Sequence, residues 1–289
     1  MRPRQTLIAL ALAVACATGA QAECLSDAQV ADLTAHYLAR TPAPNPDKLS
    51  EADAACTRAK FDAQLEKHFG KVIGYKAALT NPAVQQRFGT KQPVWGKLYE
   101  GMVLPNGATV EAAFGARPLF EADMLVRVRS NAVNQAKTPM EVLQAIDQVI
   151  PFIELPDLLV QAPPRLDGAG VAAINAGARL GVAGTPLPVP AFRAERYALL
   201  DALRDMDVIV ADADGKRIGG GKGSEILGHP LNAVVWLAQA LAQEGLALQP
   251  GDLVSLGSFS ALQPPKPGLT VTVRYEGLSG AAPVQVQFK

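Results

Sequence analysis

The sequence predicts a mixed α+β domain: a curved or barrel-like sheet with an N-terminal helical part. Three observations carry this reading. Capped helical patterns come early, strand patterns dominate late, and the two never alternate as regular βαβ units. Neither an internal repeat nor a coiled-coil heptad pattern runs through the 289 residues.

The elements follow in order. "LSDAQVADLTAHYLAR" reads as a helix with Ser26 as its N-cap, broken by "TPAPNP". "SEADAACTRAKFDAQLEKHFG" reads as a second helix, capped by Ser50 and stopped at Gly70. "KVIGYKAALT" is a strand carrying Lys76. "NPAVQQRFG" is a short helix with Asn81 as cap, Pro82 in its first turn and Gly89 just after it. Asn106-Gly107 marks a turn between apolar runs, and "FEADMLVRV" is a strand. "TPMEVLQAIDQVI" reads as a helix, with Thr138 and Glu141 forming a capping box and Pro139 at the first helical position. "PFIELPD" is a short apolar strand. The small-residue stretch "GAGVAAINAGARLGVAG" and a proline-rich connection lead to "MDVIVADADGKRIGGGKG", a hairpin turning near Asp214-Gly215. "HPLNAVVWLAQALAQEG" is a helix ending at Gly245, and the remaining tail is strand-rich.

About half of the residues are apolar, enough for a sizeable core, and 27 basic residues balance 27 acidic ones. No charge excess recommends a nucleic acid or an anionic membrane as partner. Residues 1–22 read as a secretory signal peptide: two arginines, a short apolar run, then Ala20 and Ala22 as an A-x-A site before Glu23. A buried N-terminal helix is the plainer alternative, and a lipoprotein signal ending at Cys16 a third, weakened by Ala13. A periplasmic or secreted protein follows, with no membrane association once the signal is removed. Cleavage leaves two cysteines, Cys24 and Cys56, an even pair that suggests a disulfide in an exported chain; two free thiols are the alternative.

Several motifs fail on inspection. "GGGKGSE" lacks the Ser or Thr that a phosphate loop needs after its lysine, and reads as a flexible loop that can still cover a site. "DADG" lacks the closing glutamate of a calcium loop, since Gly221 stands there. His36, His68 and His229 are the only histidines and do not suggest a zinc site. What remains is three acids in apolar strands. Glu121 and Asp123 are two apart, so a strand projects both from one face; Glu154 interrupts "IPFIELPD". Three carboxylates without histidine suit a hard cation such as Mg²⁺. Exposed strand acids or an ion pair remain the plainer readings of spacing alone, as an exposed strand-end lysine does for Lys76.

Four blocks make the chain recognisable: "GYKAALTNPAVQQRFG", "FEADMLVRV", "PFIELPD" and "LGHPLNAVVWLAQALAQEG" with "LQPGDLVSLGS" after it. In order and spacing they resemble the 2-keto-4-pentenoate hydratase and 4-oxalocrotonate decarboxylase family of the fumarylacetoacetate hydrolase superfamily, from about Gly74 to Gly257. The resemblance implies a core like the C-terminal domain of fumarylacetoacetate hydrolase over residues 71–289, behind a helical part at 23–70. It implies Mg²⁺ or Mn²⁺ held by a Glu-x-Glu pair and a later glutamate, here Glu121, Asp123 and Glu154. It also implies that Lys76 is catalytic and faces the substrate with Asn175, and that the substrate is a small 2-hydroxy-dienoic or 2-oxo acid. A homo-oligomer is expected.

Three departures accompany the likeness. "QPVWG" stands where the family has "QPDFG", so Val94 replaces an aspartate associated with catalysis. "AAINAGARLG" keeps Asn175 but puts Ile174 and Gly177 or Ala178 in place of polar partners. The family is normally cytosolic. Two functions from different classes follow: a divalent-metal-dependent lyase, hydratase-like, with decarboxylation or acylpyruvate C–C hydrolysis as variants; or an exported, non-catalytic or weakly active 2-oxo-acid-binding protein.

Overall fold

A computed structural model of the chain describes residues 23–289; the signal-peptide reading lies outside the described residues. The helical part is α1 (Asp27–Ala39) and α2 (Glu51–Phe69), each closed by the expected serine capping box. Then come β1 (Val72–Ala78), α3 (Pro82–Arg87), β2 (Val94–Tyr99), β3 (Val103–Pro105), β4 (Thr109–Val110), β5 (Glu121–Val128), α4 (Pro139–Ala145) and β6 (Ile146–Leu155). The second half holds α5 (Gly168–Ala173), β7 (Leu180–Ala183), β8 (Leu187–Pro188), α6 (Arg193–Asp205), β9 (Asp207–Ala211) and β10 (Arg217–Lys222). It ends with α7 (Asn232–Gln243), β11 (Leu253–Ser255), β12 (Thr270–Glu276) and β13 (Val284–Phe288).

Two mixed sheets result. The larger runs β2-β1-β11-β5-β6-β7-β3, with β8 also on β6; the smaller runs β10-β9-β12-β13-β4. The α+β expectation therefore holds, with three differences. The Asn106-Gly107 turn joins no hairpin: β3 pairs with β7 and β4 with β13, so it carries the chain from one sheet to the other. The helix expected over "TPMEVLQAIDQVI" stops at Ala145, because Ile146 and Val149 pair with Val128 and Val126 in the sheet; the β-branched residues fit a pleated, buried surface better than a last helical turn. Helix α6 was not legible in the proline-rich region. No side chain caps it, and only Leu199 and Leu203 of its residues are buried.

One core joins the sheets through Met124, Val126 and Ile153 on the larger and Val208, Val273 and Val286 on the smaller. A second lies between the helical part and the larger sheet, where Tyr37, Phe61 and Leu65 meet Leu98, Leu125 and Phe152. Each such side chain contributes about 1.5–3 kcal/mol on leaving water. Cys24 and Cys56 are joined, anchoring the start of the described chain to α2; in the chain-entropy account this closure stabilises the fold by about 3–4 kcal/mol.

Asp62 on α2 is buried in this second region. Lys97 lies 3.4 Å from its Oδ2, while Oδ1 has no hydrogen-bond partner. Burial outweighs the nearby cations and pushes the carboxyl up to about 6. The folded state therefore holds its proton more tightly than the unfolded chain does. Stability falls as pH rises from about 4 to about 6 and levels off above, a loss of roughly 3 kcal/mol. Asp62→Asn should flatten that slope, so its advantage over the unmutated protein in urea unfolding grows between pH 4.5 and 7.5. An equal difference at both pH values contradicts this account.

Candidate metal and 2-oxo-acid site

The larger sheet brings the predicted acids together. Glu121 on β5 is paired in register with Glu154 on the antiparallel β6, and Asp123 follows two residues later on the same face. All three are buried, Asp123 completely. Lys76 reaches them from β1, which joins β5 through β11. The residue is only 2 % exposed, and its Nζ pairs with Glu154 Oε1 and donates to the Ala176 carbonyl at 3.0 Å. That carbonyl is presented by a left-handed turn, with φ of 53° at Asn175, 51° at Ala176 and 67° at Gly177.

Asp123 is held by three donors: its own neighbour's N–H (Met124) at 2.6 Å, the Gly257 N–H at 3.0 Å, and the Ser255 hydroxyl. Gly257 has φ of 102°, and a Cβ there would strike Thr80, so only glycine lets this N–H approach. Beneath the site the Tyr275 hydroxyl ties β5 to β6 by donating to the Asp123 carbonyl and accepting from the Phe152 N–H at 3.1 Å. Sequence reasoning missed Ser255, Gly257 and Tyr275. The serine at the end of the buried strand "DLVSLGS" was the available signal.

Burial, then the neighbouring Glu154, pushes the Glu121 carboxyl well above its usual range, against the opposing pull of Lys76 and the Ser258 hydroxyl. Burial and Glu154 do the same to Asp123. Three acids thus face one lysine, and Glu154 Oε2 is buried without any hydrogen-bond partner. As the side chains stand, no group of three His, Cys, Asp or Glu among the described residues is arranged to hold a metal ion. The reason is visible: Lys76 occupies Glu154 Oε1, and the short Asp123 arm is turned onto β11.

Lys76 and Glu121 line a cavity of about 350 Å³, within the range of small-molecule sites. Leu79, Val84 and Phe88 supply apolar wall, with Arg87 beside them; Glu225 and residues 257–262 supply the rest. Asn175 differs from expectation. It is fully buried, and its side-chain amide accepts from the Lys97 N–H at 2.6 Å and donates to the Lys97 carbonyl at 3.0 Å. It clamps β2 and shapes the turn that holds Lys76, and it does not line the cavity. Val94 is also elsewhere: it packs beside Ala54, Ala172 and Ala173 and lines a separate cavity with Arg58 and Trp95.

No protein-family model matches the chain. It is 27% identical over 256 residues to 4-oxalocrotonate decarboxylase of Pseudomonas putida, covering 87% of this chain and 91% of the relative. It is 29% identical over 199 residues to 2-keto-4-pentenoate hydratase of Paraburkholderia xenovorans (strain LB400), covering 68% of this chain and 70% of the relative. Among solved structures it is similar to 4-oxalocrotonate decarboxylase from Pseudomonas putida G7 complexed with magnesium and adipate, with a TM-score of 0.78 and 26% identity, covering 92% of this chain and all of that one. The motifs and the fold therefore agree: the chain is a homologue of the 4-oxalocrotonate decarboxylases and 2-keto-4-pentenoate hydratases.

Proposed function

We propose that the protein is a divalent-metal-dependent lyase, hydratase-like, acting on a small 2-hydroxy-dienoic or 2-oxo acid. One observation carries this: Glu121, Asp123, Glu154 and Lys76, brought from three strands, converge in one buried group whose Lys76 and Glu121 line an apolar-walled cavity. The donor set fits a hard cation. Three carboxylates around a single lysine leave excess buried negative charge, and the unpartnered Glu154 oxygen is a ready ligand. Glu121, Asp123 and Glu154 would hold Mg²⁺ or Mn²⁺, which when bound supplies Lewis-acid stabilisation of negative charge at the substrate's C2 oxygen.

The chain's own residues do the rest. Lys76, fixed by Glu154 and the Ala176 carbonyl, holds the substrate's carboxylate at the reacting end. Leu79, Val84 and Phe88 keep bulk water from the carbon chain, so that charge developing on the substrate meets fixed groups rather than solvent. Decarboxylation of a 2-oxo acid is the second reading, supported by the likeness to 4-oxalocrotonate decarboxylases in sequence and in fold.

Loss of ultraviolet absorbance of 2-hydroxypenta-2,4-dienoate with Mg²⁺, and its absence with a chelator, is the expected result. Binding of 2-oxo acids without any turnover would replace the enzyme with a binding protein. Export is part of the same proposal, supported by the Cys24–Cys56 bond. A mature mass beginning at Glu23 is expected, and a retained leader contradicts it.

A further inference from the structure

The stretch "GGGKGSE" makes no phosphate loop, yet it delivers a carboxylate to the cavity. β10 ends at Lys222, and the turn Gly223–Glu225 packs tightly on α6, where a Cβ at Gly223 would strike the Leu203 carbonyl. A Cβ at Gly221 would meet both the Phe259 carbonyl and the Glu225 carboxylate. The glycines thus leave room for Glu225 to lie along the wall formed with residues 257–262. Glu225 is exposed while Lys76 is buried, so the acid stands at the mouth and the lysine at the floor.

The ionisable side chains lining the cavity are Lys76, Arg87, Glu121 and Glu225. Lys76 is fixed by Glu154 and Ala176 with its remaining donor free for the substrate's carboxylate, Glu121 belongs to the buried acid group, and a guanidinium does not titrate in proteins. Glu225 makes no side-chain hydrogen bond or ion pair among the described residues. The proton-transfer acid missing at Val94 is not restored there, since Val94 lines a different cavity.

We propose that Glu225 is the general base and acid of this site, the catalytic residue that activates water and returns its proton to the substrate. The assignment rests on the 2-oxo-acid reading above. With an α,β-unsaturated 2-oxo acid bound, the Glu225 carboxylate takes a proton from a water as that oxygen bonds to C4. The C3–C4 electron pair moves to C2–C3, and the C2 carbonyl pair moves to its oxygen. The carboxyl then gives the proton to C3 as the carbonyl re-forms. H and OH have been added across C3–C4, and the carboxylate is regenerated.

The test compares the unmutated protein with Glu225→Gln and Glu225→Asp, all with Mg²⁺, in two assays. One is hydration of 2-hydroxypenta-2,4-dienoate across pH; the other is exchange of the C3 protons of 2-oxobutanoate with D₂O, read by NMR. Glu225→Gln should lower kcat and the exchange rate roughly 10²–10⁴-fold. Its KM should stay within about threefold, since binding groups are untouched. Glu225→Asp should restore part of the rate. An exposed site predicts an unchanged unfolding midpoint. Retention of both rates in Glu225→Gln overturns the assignment. Exchange that depends on Glu225 without hydration by the unmutated protein overturns the hydratase reading and leaves Glu225 standing. Neither reaction in the unmutated protein overturns both.

Discussion

Lys76→Met is expected to abolish turnover and to destabilise the metal-free fold by about 3–5 kcal/mol at neutral pH, the usual consequence of removing one partner from a buried ion pair. Lys76 is the cation in contact with Glu154, and both are almost wholly buried. Without it Glu154 is left as an uncompensated buried charge. Methionine fills similar volume, so lost packing is a minor part of the effect. The catalytic loss should reach roughly 10²–10⁴-fold or more, the range for a proton-transfer or positioning group. Mg²⁺ should return most of the lost stability, because a divalent cation replaces the missing positive charge, while turnover stays lost. Urea unfolding with and without Mg²⁺, beside the dienoate assay, reads both effects. Unchanged stability of Lys76→Met in metal-free solution would mean that the acids around it are neutral and uncoupled to the lysine.

Much of this site was legible because period-two spacing survives folding. Glu121 and Asp123 had to share a face whatever the sheet became, while Glu154 inside "PFIELPD" was joined to them only by the family resemblance. What the spacing left open was that β5 and β6 are neighbours with Glu121 opposite Glu154. That register is a long-range property, set by which apolar faces meet. Asn175 entered the reading through the family pattern; here its amide bonds the backbone of Lys97 on β2 in both directions. Val94 drew attention through the family pattern; the structure pairs it with Ala78 on β1 and packs it beside Ala172 and Ala173, where it lines a different cavity from Lys76. Glu225 escaped notice because nothing local marks it. Only the close packing of the glycine turn on α6 and on Phe259 places it at the cavity. Helix α6 was missed because its face is mostly exposed and its start has no polar cap.

Glu121→Gln is expected to have opposite effects on the metal-free and metal-loaded protein. Glu121 and Glu154 stand side by side in register, and burial together with their mutual repulsion holds the Glu121 carboxyl well above its usual range. An amide of the same shape removes that repulsion, so the metal-free variant should be at least as stable as the unmutated protein. The amide is also a poorer ligand for a hard cation, and it subtracts a charge from the group that would hold it. Mg²⁺ or Mn²⁺ at about a hundred times its dissociation constant should stabilise the unmutated protein by about 2.7 kcal/mol through mass action. The same concentration should shift Glu121→Gln little, and turnover should fall with it. Thermal unfolding of both proteins in chelator, Mg²⁺ and Ca²⁺ separates the two effects. The choice of ion matters: a rigid, short-armed Asp123 pinned by Ser255 and Gly257 constrains the ligand geometry, and the smaller cation demands near-octahedral order. An equal metal-induced shift in Glu121→Gln, Glu154→Gln and the unmutated protein would remove these acids from the metal site altogether.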